Sequence, residues 1–404
     1  MGRITRATDF EIRPLTDGDR RAAHELLNRA FHTKRSTDEE WEKLAPGFPA
    51  ERKFGAFGDG ALIGVASSFG TELAVPGGKA VPAAAVEAVG VRADRTRRGV
   101  VTALMAEQLR DCADRGEAAA YLRASEATIY GRFGYGVSAR RKSLRVHKSR
   151  ARFRPDAPAG GQVRLVEPGA AAELLPGLYQ RIGLYRHGMI ARPEQWWAWS
   201  AARVAEEYHV AVHSGPDGDD GFVVYKPEER GGSEPGEGLD VIDLQAANIE
   251  TLAGLWRYLL SVDLVAEIWA SRPLDDPLGL MLTDPRACEV VDLADNTWLR
   301  VTDAPAALAA RAYGDAEPVV LELVDPLLEN NSGRYRISPG GAERVGSPAD
   351  LKLGPEELGM LYLGDRAPSL LAALNRIEVL NPIAVEAADR LFTTAVAPHC
   401  GTRF

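Results

Sequence analysis

Residues 89–102 carry the residue types and spacing best suited to chemistry. An apolar strand pattern ending in Val89, Gly90 and Val91 runs into an arginine-rich turn and then into a helix start. A helix that begins at a tight turn aims several unpaired backbone N–H groups at one point, where the macrodipole also favours an anion. Arg97 and Arg98 add mobile positive charge there, and Gly99 lets the backbone approach a phosphate closely. With the N–H groups of Val100, Val101 and Thr102 they form a cradle for a diphosphate. Basic residues at a helix start oppose the dipole unless an anion offsets them, which favours this reading over a solvated arginine cluster. The fingerprints G-x-G-x-x-G and GxxxxGK[ST] are both missing from this turn.

Other chemistries find less support. The seven histidines are scattered and none sits in a metal-ligand spacing, so no metal is expected. Cys112, Cys288 and Cys400 are odd in number and far apart, which suits a reducing cytoplasm and no disulfide framework. With 48 Lys+Arg against 57 Asp+Glu, the formal charge of −9 disfavours nucleic acid as a partner. The first residues have no following apolar run of the secretory kind, and apolar runs elsewhere are strand-sized, so a soluble protein without a membrane partner is expected.

The chain's 404 residues exceed what one core usually organises. Residues 81–91 read as a strand, 100–112 as a helix with one apolar face, and 118–123 as a second strand; residues 53–57 and 61–69 read as a hairpin. A mainly antiparallel sheet with one strand–helix–strand crossover fits this order. After a Pro/Gly-rich stretch at 155–161 the theme repeats, with a crossover at 239–246, 250–261 and 264–269 and an acidic, Gly-rich loop at 227–238. From Trp298 onward the pattern changes to a helix at 305–313, strands at 319–325, 333–338 and 349–353, then helices at 355–362, 368–379 and up to Phe392. The reading is α+β in three domains, residues 1–150, 151–297 and 298–404.

Residues 89–102, followed by Ser125-Glu126-Ala127-Thr128-Ile129-Tyr130-Gly131-Arg132-Phe133-Gly134-Tyr135-Gly136, resemble the GNAT superfamily of acetyl-CoA-dependent N-acetyltransferases. More closely, the chain resembles the Eis (enhanced intracellular survival) branch, whose signature SE-x-x-I-Y-G-R-F-G-Y-G is matched throughout. Leu361-Tyr362-Leu363-Gly364 and the terminal Phe404 are similar to that branch as well. The resemblance implies a catalytic GNAT domain, a second degenerate one and a sterol-carrier-protein-like domain, assembled as a homohexamer. It implies direct acetyl transfer to an amine of an aminoglycoside- or polyamine-like small molecule. Tyr130 would be the general acid for the departing thiol and the Phe404 terminal carboxylate the base. Backbone groups of Val89, Gly90 and Val91 would pair with the pantetheine, Ser125 and Glu126 would contact acetyl-CoA, and Trp41 would line the acceptor channel.

Departures from the pattern sharpen these expectations. Thr96 and Val101 stand at the first and last positions of the superfamily phosphate loop, and the second crossover turns through Gln245-Ala246-Ala247-Asn248 without glycine or arginine. One cofactor site per subunit is therefore expected. Arg403 and the run His32-Thr33-Lys34 place cations where acidic residues would hold a polycationic acceptor. Trp196, Trp197 and Trp199 read as a core or interface anchor. Protein-lysine acetylation and a non-catalytic acyl-CoA- or lipid-binding module are the rival readings.

Overall fold

The computed structural model describes residues 9–228 and 238–404; most of the acidic loop expected at 227–238 lies outside them. The first unit runs β1 (Glu11–Pro14), α1 (Arg20–Ala30), α2 (Asp38–Leu44), β2 (Lys53–Gly58), β3 (Ala61–Ala74), β4 (Ala80–Val91), α3 (Val100–Asp114), β5 (Ala119–Leu122), α4 (Ala127–Tyr130) and β6 (Gly136–His147). The second runs β7 (Gln162–Val166), α5 (Pro168–Ile182), α6 (Glu194–Glu207), β8 (His209–Gly215), β9 (Gly218–Glu228), β10 (Gly238–Ala246), α7 (Ile249–Ser261), β11 (Glu267–Pro273), α8 (Leu278–Met281) and β12 (Cys288–Val301). All twelve strands form one sheet in the order β1-β2-β3-β4-β5-β12-β6-β11-β10-β9-β8-β7.

Within that sheet β4 pairs parallel to β5 across α3, and β10 pairs parallel to β11 across α7. The two crossovers expected from the sequence are thus both present. What the pattern did not show is β12, which lies between β5 and β6 and splices the two units together. Register shifts near Val290/Asp292, Asp295/Thr297 and Thr297/Trp298 interrupt its alternation, so its inward and outward residues do not follow a clean period of two. The expected division after residue 297 falls inside this strand.

The third unit contains α9 (Ala304–Ala310), β13 (Val319–Leu323), β14 (Gly333–Ser338), β15 (Gly341–Val345), β16 (Leu351–Leu353), α10 (Pro355–Tyr362), α11 (Pro368–Ala373), β17 (Glu378–Val379) and α12 (Ala384–Phe392). Its five strands run β15-β14-β13-β16-β17. The helix expected over 368–379 is corrected here. It ends before Asn375, whose φ of +56° turns the chain back, and the segment finishes as β17 against β16. Its core is continuous with that of the first unit, because Leu299, Val301 and Tyr121 pack in one cluster with Leu358, Leu361 and Tyr362. No helix among the described residues is long and apolar enough to cross a membrane.

Candidate active site

The site begins where two strands part. β4 pairs with β5 only from Ala83/Ala119 to Val86/Leu122, whereas on its other side it stays paired with β3 as far as Val91. The parting coincides with a bulge that makes Glu87 the extra residue of β4; its carboxylate accepts a hydrogen bond from Ser67 Oγ at 2.5 Å. Beyond it, Val89, Gly90 and Val91 keep one edge without a strand partner among the described residues. Backbone donors and acceptors on such an edge are open to water or to an extended amide-bearing ligand.

The arginine-rich turn lies at the end of this edge. Gly99 caps α3 with φ +85° and ψ 2°, and no side chain caps the helix. A Cβ at Gly99 would meet no atom within 4 Å, so the space before the first-turn N–H groups of Val100, Val101 and Thr102 is open. Arg95 is committed to Asp59 at 2.7 Å, while the exposed Arg97 and Arg98 make no ion pair among the described residues. The second crossover is the opposite case. At the start of α7, Asn248 Oδ1 accepts from Thr251 N at 2.9 Å, and Asp220 accepts from Thr251 Oγ1 at 2.8 Å. A helix start already capped and faced by a carboxylate offers no anion site.

A substitution tests the cradle. Aspartate tolerates left-handed backbone and its carboxylate would occupy the helix start. Gly99→Asp is therefore expected to raise the acetyl-CoA KM roughly 10- to 100-fold, with a modest fall in melting temperature from a side chain held at φ +85°, since about 1.4 kcal/mol is tenfold in affinity. Steady-state kinetics with acetyl-CoA varied, alongside a melting curve, checks this.

Tyr130 ends α4 and is 7% exposed. It shares one apolar cluster with Ala120, Leu122 and Tyr135, against which Val89, Val101, Ala124 and Ile129 also pack. The strand edge, the helix start and this tyrosine are thereby gathered. Burial, and secondarily the Glu126 carboxylate, holds the Tyr130 phenol above its ordinary value, so it keeps its proton at neutral pH. Ser125 and Glu126 are exposed just past β5. The neighbouring glycines are not there for mobility. A Cβ on Gly136 would lie 2.1 Å from Glu356 O, and one on Gly134 (φ +81°) 2.7 Å from Pro355 Cγ, so these glycines admit α10 against the turn. Tyr135 is fully buried with its ring 5.9 Å from that of Tyr130.

The chain terminus is held from several sides. Arg123, immediately after β5, donates through Nη2 to Cys400 O (2.6 Å) and Thr402 O (3.0 Å). Asn296 of β12 exchanges hydrogen bonds with Cys400, and Arg192 Nε donates to Thr402 Oγ1 at 3.0 Å. Trp196 Nε1 donates to Arg403 O at 2.8 Å, so the tryptophan group anchors the tail. The Phe404 ring meets Phe69 and Tyr121, with centroids 6.0 and 6.1 Å apart. Tyr121 and Leu122 face opposite sides of β5, so Phe404 and Tyr130 flank that strand from its two faces. Of these anchors only Trp196 stood out in the sequence; Arg123, Arg192 and Asn296 carry no local motif.

Trp41 does not stand free. Its ring lies 5.0 Å from His24 and 6.1 Å from Phe48, with the Arg21 guanidinium 5.5 Å from its centroid, so it is packed on α1. His399 is buried in the tail, and its backbone N–H donates to His187 O at 3.2 Å. Burial, then nearby arginines, lowers His187 to about 4 and His399 well below its usual value. Both are neutral when folded but take up protons near 6.5 when unfolded, so the unfolded state binds more protons in that window. Stability is complete above pH 6.5 and is lost as pH falls toward 4, by up to roughly 3 kcal/mol from His187 alone. Melting temperatures at stepped pH, with His187→Asn showing a shallower slope between pH 6.5 and 4, check this.

Comparisons place this architecture in a class. Residues 11–138 and 188–301 each match a family described as an acetyltransferase (GNAT) domain, and residues 304–401 match a sterol carrier protein domain. The chain is thus a tandem GNAT protein with a sterol-carrier-type third unit. An uncharacterized N-acetyltransferase of Streptomyces griseus is 34% identical over 97% of this chain and 99% of its own. N-acetyltransferase Eis of Mycobacterium bovis is 32% identical over 90% of this chain and 91% of its own. The crystal structure of Eis1 from Mycobacterium abscessus superposes with a TM-score of 0.88 at 38% identity, covering 98% of this chain and 100% of that one. The chain belongs to the Eis family of GNAT N-acetyltransferases.

Proposed function

We propose that the enzyme transfers acetyl from acetyl-CoA directly to an amino group of a cationic small molecule, aminoglycoside- or polyamine-like. The observation that carries this reading is the uncapped start of α3 meeting the unpaired edge of β4 beside the buried Tyr130. Val100, Val101 and Thr102 would hold the diphosphate with Arg97 and Arg98, and Val89, Gly90 and Val91 the pantetheine amides. The exposed carboxylate of Glu126, just past β5, favours a cationic acceptor.

An alkylamine titrates near 10.4 and must lose a proton before it attacks. The Phe404 carboxylate is the proposed acceptor of that proton, through water, since a terminal carboxylate is intrinsically a weak base. Nitrogen then bonds to the acetyl carbon, a backbone N–H on the β4 edge holds the oxyanion, and the C–S bond breaks as Tyr130 protonates the sulfur. Cys400 is fully buried, and burial raises its thiol, so it forms no ready nucleophile; this supports transfer without an acyl-enzyme.

Thiol release from acetyl-CoA across aminoglycosides, spermidine, lysine derivatives and lysine-bearing peptides tests the proposal. Turnover confined to small amines supports it, turnover confined to peptides moves the reading to protein-lysine acetylation, and silence across the panel leaves an acyl-CoA- or lipid-binding module. We further propose that the enzyme assembles as a homohexamer in the cytoplasm, a reading the family resemblance supports; light scattering checks the stoichiometry.

A further inference from the structure

We infer that the third unit sets the position of the acid-bearing turn, and that Arg300 and Asp325 are the positioning pair through which it does so. The inference rests on the reading of Tyr130 as general acid. Arg300 lies in β12 and is completely buried, an unusual place for a guanidinium between Leu299 and Val301. Its Nε donates to Phe133 O at 2.9 Å, inside the turn that follows Tyr130. Its Nη2 donates to both oxygens of Asp325 at 2.7 Å, and Nη1 donates to Val301 O at 2.8 Å.

Asp325 is held in turn by the third unit. Its carboxylate accepts from Leu327 N (3.1 Å), Leu328 N (3.0 Å) and Asn331 Nδ2 (3.1 Å), so its own position is fixed by that loop. A buried ion pair gains little net stability over well-packed apolar residues, because desolvation offsets the attraction. Its distinctive contribution is direction: a planar fork joins one carbonyl of the Tyr130 turn to one carboxylate of the third unit.

Packing reinforces the hydrogen bonds. A Cβ on Gly134 would lie 2.8 Å from Arg300 Nε, and one on Gly131 3.1 Å from Glu356 Oε1. Leu327, next to Asp325 along the chain but one, packs against the Tyr130 cluster itself. The turn carrying Tyr130 is therefore enclosed by Arg300 on one side and α10 on the other. Displacing it would move the phenol relative to the strand edge, while the substitutions themselves change no residue of the cradle at α3.

The test is a double-mutant cycle in the full-length enzyme. Arg300→Met with Asp325→Leu replaces the pair by apolar side chains, and is expected to lower kcat roughly 10- to 100-fold, as a displacement near 1 Å would. The acetyl-CoA dissociation constant stays within about twofold, because the cradle is untouched. In a Tyr130→Phe background the same replacement costs less than about twofold more, since there is no acid left to misplace. Equal losses in both backgrounds, or an unchanged kcat, overturn the inference. Full activity of Tyr130→Phe alone overturns the acid reading and this inference with it, which separates the two failures. If the double replacement does not fold, Asp325→Asn, which keeps the side chain's size and weakens its grip on Arg300, carries the same cycle.

Discussion

Tyr130→Phe lowers turnover by roughly 10²–10⁴ while acetyl-CoA binding stays near normal, the range expected when a general acid is removed. The substitution deletes one oxygen from a ring whose packing against Tyr135 and the Val89–Val101 side of the cluster is otherwise kept. The pH profile carries a second signature. Burial raises the Tyr130 phenol above its ordinary value of 10.0, so the protonated, active form persists past that pH. Wild-type kcat should accordingly climb with pH as the acceptor amine deprotonates and show no fall from Tyr130 below pH about 10. Turnover equal to wild type would remove Tyr130 from the acid role.

Adding one glycine beyond Phe404 is the second large effect. The clamps on Cys400, Thr402 and Arg403 act on the residues before the terminus and remain in place. The new carboxylate then lies about 3.8 Å further along the chain. A displacement of that size is expected to cut kcat by roughly 10²–10³, because proton transfer needs hydrogen-bond reach. Melting temperature should not change, which distinguishes a displaced base from a loosened tail. An unaffected rate would retire the terminal carboxylate as base.

The parts of the site that were legible in the sequence are those encoded locally. The strand, arginine turn and helix around Gly99 show their periodicities and breakers within one short stretch, and the structure forms β4, α3 and β5 there. The second crossover turns through Gln245-Ala246-Ala247-Asn248 without glycine or arginine, and there Asn248 caps α7. What the sequence hid depends on distant partners. β12 carries bulges that blur its alternation. The glycines at 131, 134 and 136 are accounted for by α10, more than two hundred residues later, which packs against them. The lone arginine in Trp298-Leu299-Arg300-Val301 was a signal in plain view, since a charge within a buried apolar strand demands a partner. Its partner Asp325 belongs to another unit, which no local pattern names. Trp41, which the family likeness puts at the acceptor channel, has its ring packed on α1 against His24.

A crystal structure of the enzyme with acetyl-CoA tests the central claim most directly. The account predicts the diphosphate on the N–H groups of Val100, Val101 and Thr102 beside Arg97 and Arg98, the pantetheine along the β4 edge, and the thioester sulfur within hydrogen-bond reach of Tyr130. Acetyl-CoA bound elsewhere, with the Gly99 turn empty or the sulfur remote from Tyr130, would contradict it.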